Sequence, residues 1–110
     1  MIRGIHAMFY TSEAEALRAF IRDKLGFPFI DVGEGWLIFD PGEAEIGCHP
    51  DAGPTRQDIS FYCDDIEATV ADLKAKGVEF AGEIEDHGYG LVTYFKAPGD
   101  LTIQLYQRKY

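Results

Sequence analysis

The sequence predicts an α+β fold made of two tandem βαβββ units within one domain. Three observations carry that expectation. Two stretches with apolar residues at helical spacing, Ser12 to Gly26 and Asp65 to Gly77, are each preceded by one strand-like run and followed by three. The punctuation recurs in order, Gly26 answering to Gly77 and Pro41-Gly42 to Pro98-Gly99, at offsets of 51 and 57 residues whose difference falls in one loop. The strings that follow are also alike: GFPFI matches GVEFA, and PGEAEIGCH matches PGDLTIQLY.

The first unit covers about residues 1–49. Residues 3–10 read as a strand, and Ser12 with Glu15 makes an S-x-x-E capping box that opens a helix. Leu17, Phe20, Ile21 and Leu25 form one apolar stripe on it, and Gly26 ends it. Strands are expected at 27–32, 36–40 and 44–49, broken by Gly33-Glu34-Gly35 and Pro41-Gly42. A polar linker at 50–56 leads into the second unit, about 57–110. It begins with a strand at 57–63, and Asp64 or Asp65 caps a helix carrying Ile66, Val70 and Leu73 as far as Gly77. Strands at 78–84, 91–96 and 101–107 follow, separated by the loop 85–90 and the Pro98-Gly99 turn.

At 110 residues the chain is long enough to bury a core without staples. A net charge of −9 with no basic run opposes binding to a phosphate backbone and excludes nucleic acid as a partner, while favouring cationic small molecules. No apolar run is long enough to span a bilayer, and MIRGIHAMFY lacks the order of a signal peptide, so the expected location is the cytoplasm. Cys48 and Cys63 lie in expected strands without CxxC spacing and read as buried, reduced thiols. The sequence has no GxSxG, GxGxxG, HExxH or P-loop pattern, so it gives no local support to serine hydrolase, dinucleotide-binding, zincin or nucleotide-triphosphatase chemistry. His87, in EDHGYG, reads as a solvated loop residue.

The duplicated unit, a histidine on the first strand, the stretch RDKLGF that closes the first helix, ISFYCDDIEATVADLKAKGVEF and the closing YFKAPGDLTIQLYQ together resemble the vicinal oxygen chelate superfamily, the glyoxalase, bleomycin-resistance and dioxygenase group. The resemblance spans essentially the whole chain and rests on order and spacing. It implies a half-open β-barrel made by pairing the two units, within one chain or across a homodimer, around a central divalent metal. Carried over by position, the family's ligand places fall on His6, Gly47, Asp58 and Gln104. Gly47 offers no side chain. Glu45 and His49 share its strand face at about 6.6 Å spacing, so either is a possible replacement, in a site suited to Ni, Zn, Mn or Fe. For His6 the other reading is a structural histidine bonded within the barrel.

Period-two geometry places Met8, Tyr10, Ser60, Tyr62, Thr102 and Tyr106 on the face shared with His6, Asp58 and Gln104. Met8, Tyr10, His49, Tyr62 and Tyr106 are therefore the candidate ligand-binding residues, with half-buried packing as the competing role for the tyrosines. Two functions remain open. One is a small-molecule-binding protein whose metal site has degraded and whose aromatic cleft takes a small organic ligand or drug. The alternative is a metal-dependent lyase, isomerase or dioxygenase acting on a small oxygenated substrate.

Overall fold

The computed structural model describes residues 1, 3 and 5–109. In chain order the elements are α1 (Ala14–Phe20), continued by a π-helical turn over Ile21–Leu25, β1 (Phe29–Asp31), β2 (Leu37–Phe39), β3 (Ser60–Tyr62), α2 (Ile66–Ala75), β4 (Glu85–Asp86), β5 (Gly90–Ala97) and β6 (Leu101–Arg108). β3 to β6 form one four-stranded sheet in the order β3-β6-β5-β4, and β1 with β2 forms a separate hairpin.

The second unit forms on its own sequence signals. Of the two expected caps Asp65 is used: it adopts extended backbone and its carboxylate accepts from the Ala68 amide at 3.1 Å. A further amide of the first turn, that of Ile66, donates to the Gln107 side chain on β6 at 2.9 Å, tying helix to sheet. Ile66, Val70 and Leu73 then bury one helical stripe against Phe95, Ile103 and Leu105. Gly77, at φ 85, stops the helix as expected. β5 and β6 pair antiparallel from Gly90↔Arg108 to Ala97↔Leu101 across the Pro98-Gly99 turn, and β3 runs parallel to β6.

The first unit is incomplete. α1 docks on the second unit: Leu17 is buried in its core, Phe20, Ile21 and Leu25 pack against it, and Lys24 Nζ donates to the Lys76 carbonyl at 2.7 Å. The capping box does not form. The N-cap position falls on Glu13, whose amide donates to Thr11 Oγ1 at 3.1 Å, while the Glu13 carboxylate accepts from the Gly99 amide in the β5–β6 turn at 2.9 Å. That long-range bond fixes the start of α1 one residue beyond Ser12. Gly26, at φ 71, ends the helical segment.

None of the described residues in 3–10 or 44–49 lies in a strand, although both stretches have a strand pattern. A strand persists only where a neighbour satisfies its ladder, and a two-stranded hairpin is the least stable nucleus for one. The expected strands at 27–32, 36–40 and 57–63 shrink to three residues each. The run 78–84 makes a single bridge, Phe80↔Phe95, and pairing resumes at β4, in the expected loop. Large apolar side chains of the first unit are left exposed as a result, among them Ile5, Phe29, Ile30, Val32, Trp36 and Ile46. The radius of gyration, 14.8 Å, exceeds the value of about 13 Å usual for this length.

The thiols change accordingly. Both cysteines are free. Cys48 is exposed rather than buried, because its segment has no sheet to face. Cys63 is half-buried, and that burial pushes its thiol pKa up.

Candidate functional site: a tyrosine-lined sheet face

The register of the four-stranded sheet decides which side chains share a face. Phe61, Leu105 and Thr93 are cross-strand neighbours on the side covered by α2, so Ser60, Gln104 and Tyr94, and likewise Tyr62, Tyr106 and Val92, point to the opposite side. No helix among the described residues packs on that side. It is lined by tyrosines: the Tyr62 and Tyr106 rings lie 6.0 Å apart, and Tyr89 meets Tyr106 edge-on at 6.1 Å. Val92, between β4 and β6 on this face, is fully buried. At the centre the Gln104 amide donates two long hydrogen bonds, to Tyr94 Oη at 3.3 Å and Tyr89 Oη at 3.5 Å.

Two carboxylates from the segment after Pro41-Gly42 reach across to this face. Tyr62 Oη donates to Glu43 at 2.9 Å, and Tyr106 Oη donates to Glu45. Arg108, the last residue of β6, pairs with Glu45 at 3.1 Å and places its guanidinium carbon 4.3 Å from the centre of the Tyr62 ring. The hydrogen bond to Glu43 raises the Tyr62 pKa above the ordinary tyrosine value, with desolvation and the Glu43 charge acting in the same direction. The result is an aromatic face of mutually inclined rings with an amide in its middle and acid along one edge, suited to contacting a planar ligand and orienting its polar groups.

Of the residues expected to bind ligand, Tyr62 and Tyr106 meet here. Glu45 joins them through the Tyr106 hydroxyl, and Gln104 lies on the same face. Met8 and Tyr10 are exposed on the N-terminal segment. His49 has its Nδ1 2.6 Å from the Pro50 carbonyl. Tyr89, Tyr94, Glu43 and Arg108 were not expected. Tyr94 was within reach of the sequence, since counting back from the Pro98-Gly99 turn pairs it with Gln104. No local pattern marks Tyr89 or Glu43.

The implied metal ligands can be tested on their surroundings. His6 is exposed, Gly47 is open backbone, and Asp58 is a highly exposed carboxylate 3.8 Å from the Arg56 guanidinium. Gln104 is already engaged with two phenols. Among the described residues no group of three or more His, Cys, Asp or Glu side chains is placed to hold a metal ion. As placed, this donor set does not fit a divalent ion: its one carboxylate faces a cation, and its amide is turned to phenols.

A cleft of about 540 Å³ lies away from this face, between α1 and the β1–β2 hairpin. Its lining opposes Arg18 and Arg22 to Glu15, Asp31 and Glu34. Both arginines are engaged, Arg18 over the Trp36 ring at 4.7 Å and Arg22 with Asp23 at 2.7 Å. The polar groups of the tyrosine face converge, and convergent chemistry outweighs volume in choosing between them.

Known proteins of the same shape fit this architecture. The sequence profile of the Glyoxalase/Bleomycin resistance protein/Dioxygenase superfamily matches residues 4–105. Among solved structures, TnmS3, an antibiotic binding protein from Streptomyces sp. CB03234, is similar with a TM-score of 0.67 and 22% identity, covering 99% of this chain and 100% of its own. A member of the superfamily from Sphaerobacter thermophilus gives 0.66 and 21%, covering 97% and 98%. A lactoylglutathione lyase from Agrobacterium tumefaciens gives 0.61 and 19%, covering 90% and 88%. At these identities the likeness extends to the fold alone. No curated protein matches the chain.

Proposed function

This chain belongs to the glyoxalase/bleomycin resistance protein/dioxygenase superfamily, and on that premise we propose that it binds a small organic ligand or drug on the tyrosine-lined face of its second unit, without a metal ion. The observation that carries this reading is the convergence of Tyr62, Tyr89, Tyr94 and Tyr106 around Gln104 on the sheet face opposite α2. The similarity in fold to an antibiotic binding protein supports it. The test is a thermal-shift and tyrosine-fluorescence screen with aromatic drugs and cationic glycopeptides. A ligand should raise the melting temperature, and Tyr106→Ala or Tyr94→Ala should weaken it about threefold to tenfold, as loss of one aromatic contact implies. A panel with no binder, or binding that survives both substitutions, overturns the proposal.

A metal-dependent enzyme is the second reading, favoured by the likeness to a lactoylglutathione lyase and by the family positions at His6, Asp58 and Gln104. It requires His49 or Glu45 to complete the set. Retention of Ni, Zn, Mn or Fe(II) after dialysis, lost on His6→Ala, would establish it over the first.

The expected partner state is a homodimer. The exposed apolar side chains of the first unit, and the strand-patterned residues 3–10 and 44–49, are what a second copy would pair and cover. Sedimentation at several concentrations decides the matter: a single monomeric species at high micromolar concentration removes it. A cytoplasmic location agrees with the exposed free thiol of Cys48. No helix among the described residues is long and apolar enough to cross a membrane.

A further inference from the structure

Arg108 is the feature of the tyrosine face that ligand stacking leaves unexplained. Its guanidinium lies against the Tyr62 ring at 4.3 Å, and its Nη1 is 3.1 Å from Glu45 Oε2. Glu45 is also held by the Tyr106 hydroxyl. About a third of each partner's side chain remains exposed, so the pair sits at the rim rather than in the core. A ring face, a carboxylate and a neighbouring phenol are the components of a seat for a planar cation. Here the chain's own side chain fills that seat.

Resting on the reading that this face takes the ligand, we infer that Arg108 is an internal occupant of a cation seat. The ligand of this site then carries a planar, delocalised cation of the guanidinium or amidinium class, which replaces Arg108 over Tyr62 and against Glu45. The exchange asks little of the fold. Arg108 is the terminal residue of β6, and the residue paired with it on β5 is Gly90, which has no side chain. A long flexible stem lets the displaced guanidinium swing into water without moving the sheet. The net charge of −9 brings cations to the surface in general, whereas the seat selects by shape and by stacking.

The test uses two nearly isosteric probes, benzamidinium and neutral benzamide, titrated calorimetrically into the full chain. Arg108→Met keeps the aliphatic stem and empties the seat. It should tighten benzamidinium about tenfold, the combined scale of one cation–π contact and one part-exposed ion pair, and leave benzamide within about twofold. Arg22→Met removes the same charge outside the seat, so it reports the non-specific field and should change benzamidinium less than about twofold. Adding Glu45→Gln to Arg108→Met should return benzamidinium to wild-type strength, and thermal melts of each variant check that it is folded. Equal gains for Arg108→Met and Arg22→Met, or a gain indifferent to Glu45→Gln, overturn the seat. Benzamide binding that depends on Tyr94 while benzamidinium gains nothing overturns this inference and leaves the ligand site standing. Failure of both probes on every variant overturns both.

Discussion

Phe95→Ala tests where the stability of this chain resides. Phe95 is 1% exposed on β5; its ring stacks on Phe20 of α1 at 6.2 Å and meets Phe80 edge-on at 6.0 Å. It therefore joins both the first-unit helix and the 78–84 segment to the sheet. Truncating a buried phenylalanine costs about 3–5 kcal/mol, and two aromatic contacts place this one in the upper part of that range. Against a total of about 5–15 kcal/mol for a domain of this size, the variant should be near its unfolding limit, with a melting temperature lower by roughly 16–20 °C. The matched control is Phe29→Ala on β1. Phe29 is 44% exposed and makes one edge contact with Phe39, at 5.9 Å across the hairpin. Its loss should cost about 1 kcal/mol or less. Urea titration of both variants, at a protein concentration low enough to keep the chain monomeric, gives the two costs with an unchanged slope. Equal costs under those conditions refute the claim that the second unit holds the core. A Phe29→Ala cost that grows with protein concentration would instead show that a second copy covers this face.

Three further outcomes follow from the geometry. Asp65→Ala removes the cap on the Ala68 amide and should cost about 1 kcal/mol by urea titration, whereas Ser12→Ala, which caps nothing, should cost only a few tenths. Glu43→Gln should return the Tyr62 ionisation toward the ordinary tyrosine range, seen as an earlier rise of phenolate absorbance in an alkaline titration. The sign is that of a raised folded pKa: whatever stability Tyr62 contributes is present below the unfolded value of about 10 and is lost as pH rises through the folded one. An aromatic disulfide reagent at neutral pH should modify exposed Cys48 quickly and Cys63 slowly, with the slow phase absent in Cys63→Ser; two equal fast phases would contradict the burial of Cys63.

The sequence was most legible where the signal was local. Asp65, Gly26, Gly77 and Pro98-Gly99 each act within a few residues, and each does in the structure what its chemistry requires. Ser12 and Glu15 carried an equally local signal and were overruled by a distant partner, since Glu13 reaches the Gly99 amide and resets the helix start. The alternation at 3–10 and 44–49 is real but insufficient, because a strand is a property of a pair and the pattern names only one member. Parity along β3 and β6 puts Tyr62, Gln104 and Tyr106 on one face, and the observed register puts them there too. Tyr89 and Glu43 come from irregular backbone with no period to follow, so no count of residues could have brought them in.

The core and the acidic edge of the candidate site are therefore drawn from different stretches of chain. The floor of the candidate site is built on β3, β5 and β6, whose other face packs on α2 in the core, so the positions of Tyr62, Tyr94, Gln104 and Tyr106 are as fixed as the domain itself. Its acidic edge comes from residues 43–45, which lie in no strand and reach the sheet through side-chain bonds from Tyr62, Tyr106 and Arg108. Partly exposed bonds of that kind contribute far less than the packing beneath the floor. The edge can therefore be altered by substitution at little cost to folding. A fold that hosts more than one activity is served by that division, with a rigid floor beneath an edge free to vary.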